Sequence, residues 1–176
     1  LKKYKNFSYS RIDLKFRIKN FFCKPSHVFH LAASLGVKSI NKNPYNSFKN
    51  NINSLLNLID NLKNYSPNAT LIYFSSSEVY SPLIFRKKIK LPAKEDVDLL
   101  ISKGTIKRDS YYLSKLIGEK IVQLSGLKYI ILRPHNIYGP RMGFRHVISE
   151  LIRKMSVSNN IKYKKYEIFS PHHTRS

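Results

Sequence analysis

Apolar residues along the chain fall either in short continuous runs or in longer stretches with helical spacing. The short runs are typical of buried parallel strands, and the longer stretches are typical of amphipathic helices. The pattern predicts strands within 27–34, 69–80 and 127–140, helices over 43–65, from 110 to just before Gly126, and over 144–155, and a further strand in the tail 161–176. This alternation predicts an α/β fold with a parallel sheet and flanking helices.

Small or polar residues follow each predicted strand. The segments are Ala32–Ala33, 75–78 (SSSE) and 133–136 (RPHN). Because ligands of open parallel sheets bind beyond the carboxyl ends of the strands, these segments form the candidate site. A long segment, 81–109, is predicted to be irregular, and loops of that length are often functional.

A formal net charge of +22 is the unusual bulk property of this chain of 176 residues. Such a charge fits a nucleic acid or a small anionic ligand such as a diphosphate. The lysines are scattered, however, and asparagine and isoleucine are also abundant, which indicates a compositional bias. We therefore expect no nucleic-acid partner.

Neither a membrane span nor a secretory signal is visible in the sequence. No apolar run is long enough to cross a bilayer, and the first residues include no apolar signal-peptide core. The single cysteine, Cys23, cannot form an internal disulfide and is expected to be a thiol in a reducing compartment. We expect a cytoplasmic location, no membrane partner and no metal site.

A tyrosine and a lysine four residues apart, Tyr111 and Lys115, share one face of the predicted helix. A nearby ammonium group favours the tyrosinate and lowers the pKa of a phenol, which can then accept a proton from a sugar hydroxyl. The pair alone is also typical of a solvated helix surface. The stripe predicted to pack on the sheet is a different one, made of Leu113, Leu116, Ile117, Ile121 and Leu124.

Four segments together carry a resemblance. They are VFHLAAS, YFSSSEVYS, YYLSKLIGE and ILRPHNIYGPR, in this order along the chain. They resemble the extended short-chain dehydrogenase/reductase family of nucleotide-sugar epimerases and dehydratases, and 133–148 looks especially close to enzymes of surface-polysaccharide pathways such as lipopolysaccharide synthesis. The resemblance implies a Rossmann-like fold, NAD as cofactor with NADP as the alternative, a nucleotide-sugar substrate and a homodimer.

The resemblance implies catalytic roles for residues of two segments. Tyr111 would deprotonate the sugar hydroxyl, while Lys115 would lower the pKa of Tyr111 and bond the nicotinamide ribose. Ser76 would hold the reacting hydroxyl, and Ser77 would assist. Instead of a catalytic role, Ser76 could have a structural one, in which its hydroxyl bonds the neighbouring backbone.

Binding roles follow from the same resemblance. The implied cofactor contacts are Asp13, Leu14, Leu31, Ala32, Ala33, Ser75, Tyr111, Lys115 and Pro134. The implied substrate contacts are Ser76, Asn136, Arg141 and His146. Asn51 would be a structural polar residue near the site.

Glu78 keeps two reactions open. In the family, a carboxylate two residues after the serine matches dehydratases and uronate decarboxylases as well as some epimerases. The function expected first is 4-epimerisation of a UDP-hexose or uronate through a transient 4-keto sugar. The alternatives are a 4,6-dehydratase or a UDP-uronate decarboxylase that uses Glu78, and, from another class, a non-catalytic remnant with a basic surface.

The sequence departs from the family pattern at its start. It contains six glycines but no G-x-x-G-x-x-G segment, and Ser81 stands where the family pattern has glycine. We therefore expect an internal fragment that lacks the first strand and helix and the C-terminal part, and that is inactive alone. The expected domains are a partial NAD-binding domain over 1–140 and the start of a sugar-nucleotide lobe over 141–176.

Overall fold

A computed structural model of the protein describes residues 4–16, 18, 24–34, 37–103, 107, 109–140, 143 and 147–157. Three predictions lie outside these residues: the state of Cys23, the two substrate contacts Arg141 and His146, and the strand in the tail. The described chain forms two compact units, Leu1–His135 and Asn136–Ser176. The domain boundary expected after residue 140 stays a prediction.

The first unit contains a parallel three-stranded sheet. Its elements are β1 (His27–His30), α1 (Val37–Lys42), α2 (Pro44–Tyr65), β2 (Thr70–Phe74), a 3₁₀ helix (Ser77–Tyr80), α3 (Ser81–Phe85), α4 (Asp109–Leu124) and β3 (Lys128–Leu132). The strands lie in the order β1-β2-β3, and every pair is parallel. The predicted α/β fold is confirmed, although α3 occupies the start of the segment that was predicted to be irregular.

The two long helices begin and end where local chemistry favours it. Asn43 caps α2, because its side-chain oxygen accepts a hydrogen bond from the backbone N–H of Asn46 at 3.1 Å, and Pro44 follows in the first turn. Gly126, with φ of +76°, stands just beyond the end of α4. This left-handed conformation favours glycine, as the sequence predicted for this helix end.

One face of the sheet is covered by α2 and α4. The core there consists of residues from both helices, the strands and the N-terminal segment: Ile18, Leu55, Leu58, Ile59, Leu62, Ala69, Leu71, Tyr73, Val122 and Leu127. Asn57 and Asn61 of α2 donate side-chain hydrogen bonds to the carbonyls of Leu14 and Ile18, both at 2.9 Å. These bonds fix the N-terminal segment against α2.

The opposite face of the sheet is partly open among the described residues. Phe29, Ile72 and Ile130 are in register across the three strands and share this face. Ile72 is buried, but Phe29 is 60% exposed and Ile130 is 49% exposed. Parallel sheets are normally covered on both faces, so these exposures mark a part of this face that the described residues leave uncovered.

The buried face of α4 is not the predicted one. Lys115, Gly118 and Val122, none of which belongs to the predicted apolar stripe, are buried, as are Ser114 and Glu119. In the predicted apolar stripe only Leu116 is buried, and Leu124 is 85% exposed. The prediction was wrong because Ser114, Lys115 and Glu119 all have hydrogen-bond partners within the fold, which offsets the cost of burying them.

The second unit contains one described helix, α5 (Val147–Val157). It matches the helix that was predicted over 144–155. Its surface includes an ion pair one turn apart, in which Arg153 donates to Glu150 at 3.0 and 3.2 Å.

Candidate functional site

Ser76, Tyr111 and Lys115 lie together at the carboxyl end of β2. Ser76 lies two residues after the end of β2 and is buried, and its hydroxyl shares a hydrogen bond with the phenol of Tyr111 on α4. The Lys115 ammonium lies 5.9 Å from the centroid of the Tyr111 ring. The structure therefore brings the three predicted catalytic side chains together, as expected for residues at the ends of parallel strands.

The pKa of the Tyr111 phenol is raised, which is opposite to the expected direction. Burial of the half-buried side chain is the main cause, the hydrogen bond with Ser76 lowers the pKa, and the negative charge of Glu78 raises it again. Lys115, which was expected to lower this pKa, is not among the causes of the shift, and burial of the phenol prevails in the folded chain.

Lys115 is buried and its ammonium is fixed by the backbone. Its Nζ donates a hydrogen bond to the carbonyl of Phe74, the last residue of β2, at 2.6 Å. The same Nζ lies 5.2 Å from the centroid of the Tyr73 ring, which stacks on His30 of β1 at a centroid distance of 5.9 Å. Burial lowers the pKa of Lys115 to about 8, so the side chain still carries its charge at neutral pH.

Ser76 also makes the hydrogen bond to the neighbouring backbone that was predicted for a structural role. Its Oγ accepts a hydrogen bond from the N–H of Glu78 at 3.2 Å and so caps the 3₁₀ helix. The N–H of Ser77 donates to the carbonyl of Pro134 at 3.1 Å. The segments after β2 and β3 are thus joined through backbone groups, and Ser76 serves the helix cap and the site at once.

Glu119 and Arg133 form a buried ion pair that the sequence reading missed. Arg133 Nε and Nη2 donate to the two carboxylate oxygens of Glu119 at 2.9 and 2.8 Å, a bidentate arrangement. Arg133 Nη1 also donates to the Tyr80 hydroxyl at 2.6 Å and to the carbonyl of Glu95 at 2.9 Å. The carboxylate beside it raises the pKa of the Arg133 guanidinium.

Ser75 belongs to this ion-pair network. Its Oγ donates to Glu119 Oε1 at 2.5 Å, and its N–H bonds the carbonyl of Leu132. The hydroxyl predicted to contact the cofactor is therefore engaged with Glu119 within the protein. A usable sequence signal existed, since Glu119 lies four residues after Lys115 on the same helix face.

A cavity of about 490 Å³ lies beyond the carboxyl end of β1. It is lined by Arg11, Ile12, Asp13, Leu14, Lys15, Ala32, Ala33, Ser34, Asn50, Asn51 and Ser54. Four of the predicted cofactor contacts, Asp13, Leu14, Ala32 and Ala33, are thus brought to one place. The short side chains of the two alanines leave room beside the end of β1, and the carboxylate and backbone of 11–15 supply polar groups. These residues fit the adenosine part of a dinucleotide.

Asn51 connects this cavity to the catalytic helix. Its Oδ1 accepts a hydrogen bond from the N–H of Ser34 at 2.7 Å, and its Nδ2 donates to Ser114 Oγ at 2.9 Å. Ser114 in turn donates to the carbonyl of Tyr111 at 2.7 Å. Asn51 is buried and acts as the structural polar residue that was expected.

The remaining predicted contacts are spread over the strand ends. Leu31 is exposed just after β1, and Pro134 is half-buried just after β3. Asn136 is the first residue of the second unit. Their roles as ligand contacts stay predictions.

No group of three or more His, Cys, Asp or Glu side chains that could hold a metal ion occurs among the described residues. Within the same residues, none of the helices combines the length and the apolar character that crossing a bilayer requires.

Comparison with known proteins places these motifs in one family. Residues 2–168 match the model of the NAD dependent epimerase/dehydratase family. UDP-glucuronate 4-epimerase 4 of Arabidopsis thaliana is 28% identical over 151 residues, which are 81% of this chain and 31% of the plant protein. UDP-N-acetyl-alpha-D-glucosaminuronate decarboxylase of Bacillus cytotoxicus is 36% identical over 117 residues, 65% of this chain and 34% of the enzyme. The chain thus spans about a third of the length of these relatives.

A solved structure agrees with the fold. RMD from Pseudomonas aeruginosa, in complex with NADPH, matches with a TM-score of 0.68 and 25% identity, over 84% of this chain and 49% of that protein. The TM-score shows that the described strands and helices share the fold of that protein, and the family model covers nearly all of the sequence. The chain therefore belongs to the NAD dependent epimerase/dehydratase family.

Proposed function

We propose that the protein is an NAD-dependent nucleotide-sugar epimerase that acts on a UDP-hexose or a UDP-uronate. It would invert the configuration of one sugar carbon, C4 in the expected reaction, through a transient keto sugar. The observation that carries this proposal is the arrangement of Ser76, Tyr111 and Lys115 at the end of β2. The plant relative, which is named a UDP-glucuronate 4-epimerase, supports the same reaction class.

In this proposal Tyr111 takes the proton of the sugar hydroxyl. The hydrogen bond between Ser76 and Tyr111 puts a second polar group beside the reacting oxygen and orients it. Lys115, fixed by the carbonyl of Phe74, keeps a positive charge near the phenol. On the return step Tyr111 gives the proton back to the oxygen of the keto sugar, so the base is regenerated.

NAD, when bound, would supply the hydride acceptor and, in its oxidised form, a positive charge that lowers the pKa of a nearby phenol. Asp13, Leu14, Ala32 and Ala33 would hold its adenosine part in the cavity beyond β1. NADP is the alternative cofactor, since the Pseudomonas relative was solved with NADPH.

A second reaction, decarboxylation or dehydration of a nucleotide sugar, is favoured by one observation. The negative charge of Glu78 raises the pKa of Tyr111, so the carboxylate acts electrostatically on the catalytic phenol. A carboxylate in that place is suited to acid/base chemistry beside the keto group. The Bacillus relative is named a decarboxylase of a related uronate.

Three further assignments belong to the proposal. A homodimer is supported by apolar side chains of α4 that the described residues leave uncovered: Leu113 and Ile117 are half-buried and Leu124 is exposed. A cytoplasmic location is supported by the single cysteine, which is typical of a reducing compartment. A role in lipopolysaccharide or other surface-polysaccharide synthesis is supported by the sequence resemblance of 133–148.

The experiment follows the sugar by NMR while the protein that carries this chain is incubated with NAD and UDP-glucuronate or UDP-glucose. Appearance of the 4-epimer, lost by at least about a hundredfold in Tyr111→Phe, is the expected result. Tyr112→Phe is the matched control, because Tyr112 is the adjacent tyrosine and bonds Ser102 instead of the site.

Glu78→Gln separates the two reactions. An epimerase should keep near-normal turnover in this variant, whereas a decarboxylase or dehydratase should lose it. Retention of full activity in Tyr111→Phe would overturn the proposal. Absence of any turnover together with absence of NAD binding would favour the non-catalytic remnant, and an assay of the 176-residue chain alone tests the expectation that it is inactive.

A further inference from the structure

A short turn after α3 places a lysine where glycine is the usual residue. Lys87 has φ of +52°, in the left-handed region. Its N–H donates to the carbonyl of Ile84 at 3.0 Å, and the N–H of Lys88 donates to the carbonyl of Leu83 at 2.9 Å. This pair of bonds is the Schellman ending of a helix, in which Lys87 occupies the position that glycine takes at least cost. A lysine in this conformation costs backbone strain that a glycine would avoid.

The turn presents charge and apolar surface together. Within 84–91 (IFRKKIKL) there are four cations and no acidic residue. All four cations are exposed, as are Ile84 and Leu91, and Phe85 is 86% exposed. Among the described residues, this stretch has the densest run of basic side chains. It is an exception to the otherwise scattered distribution of the lysines.

The turn is held on the protein by two inward side chains. Leu83 is buried, and Ile89 packs against the small core of Val79, Tyr80 and Leu116. With Leu83 and Ile89 pointing inward, the flanking side chains are left on the outside. The turn is therefore anchored to the protein from below, and it exposes three apolar side chains among four positive charges.

We propose that residues 84–91, the basic turn, bind the surface of an anionic lipid bilayer. Clustered lysines and arginines are attracted to negatively charged headgroups, and a projecting phenylalanine with two aliphatic neighbours can enter the boundary between headgroups and acyl chains. A bilayer fits better than RNA, because Ile84 and Leu91 offer neither base stacking nor hydrogen bonds. This differs from the expectation of no membrane partner, which rested on the lack of a spanning segment.

The test measures cosedimentation of the full chain with vesicles of phosphatidylcholine, with and without phosphatidylglycerol. Binding is expected only with the anionic lipid and should weaken as salt is raised. Replacing Lys87, Lys88 and Lys90 by glutamine should lower the partition coefficient by about a hundredfold, or about fivefold per charge. Phe85→Ala should lower it by about tenfold.

A charge-matched control is essential for a chain with a net charge of +22. Lys24, Lys42 and Lys63 are exposed and lie elsewhere, so their triple replacement by glutamine should have a far smaller effect. Tyr45→Ala, another exposed aromatic, is the control for Phe85→Ala. Equal losses in the two triple variants would overturn the proposal, because binding would then follow net charge alone.

Lys87→Gly separates binding from folding. Glycine relieves the strain of the left-handed position, so this variant should melt at a higher temperature while it binds anionic vesicles about fivefold more weakly. Unchanged vesicle binding by Lys87→Gly would contradict the inference. So would binding of single-stranded RNA, with the same dependence on 84–91, by a protein that does not bind the vesicles.

Discussion

Replacing Glu119 by glutamine is expected to destabilise the first unit by about 2–3 kcal/mol. Glutamine keeps an oxygen for Ser75 and for Arg133 Nε, but it places an NH₂ group against Arg133 Nη2, where the carboxylate accepted a bond at 2.8 Å. The guanidinium loses its partner charge while it stays largely buried, at 17% side-chain exposure. Its bonds to Tyr80 and the carbonyl of Glu95 remain, so the loss lies below that of a fully buried pair.

Urea unfolding followed by circular dichroism measures this change. The matched control is Asp13→Asn, which removes the charge of an exposed ion pair with Lys15 and should shift the midpoint little. The double variant Glu119→Leu, Arg133→Met should be more stable than Glu119→Gln, because neither partner is left charged and buried. An unchanged midpoint in Glu119→Gln would show that the pair does not hold the strand ends.

Three further predictions concern buried groups near the site. Burial, with the charge of Lys115, lowers the pKa of His30 to about 4, so the unfolded chain binds a proton that the folded chain excludes. The free energy of unfolding should therefore fall by up to about 3 kcal/mol as the pH drops from 6.5 through 4. His30→Phe should not show this fall. For Lys115, with its pKa lowered to about 8, the same linkage makes stability rise between about pH 8 and 10, and Lys115→Met should lack that rise in parallel pH-dependent urea titrations. Gly118→Ala should cost about 1–3 kcal/mol in thermal unfolding, since its methyl group would overlap the Tyr73 hydroxyl, and Tyr73→Phe should restore part of the loss; an unperturbed Gly118→Ala would refute the tight packing.

The parallel sheet, and the proximity of the predicted catalytic residues at its edge, could be predicted from the sequence. Short apolar runs define β1, β2 and β3, and parallel strands necessarily bring their carboxyl ends to one edge. Ser76 and Tyr111 could therefore be placed near each other before any coordinates were known. The cavity gathers Asp13 with Ala32 and Ala33, which the resemblance had named together as cofactor contacts.

What the sequence could not supply depends on partners distant along the chain. Counting apolar positions favoured the Leu113–Leu124 stripe of α4, yet Lys115 and Glu119 are buried because Phe74 and Arg133 bond them. The direction of the Tyr111 pKa was missed for a related reason. Spacing shows that an ammonium is near, but only the fold shows how much the burial of the phenol opposes it.

The backbone groups that hold the site make it tolerant of sequence change. Lys115 is bonded to the carbonyl of Phe74, and the segments after β2 and β3 are joined by the N–H of Ser77 and the carbonyl of Pro134. Every amino acid has a carbonyl, so neither Phe74 nor Pro134 is needed for these bonds by its side chain. Only proline at position 77 would remove a bonding group, because proline has no backbone N–H to donate. Libraries that vary positions 74 and 134 to change substrate preference should therefore keep the geometry of these two bonds, whereas proline at position 77 should disrupt it.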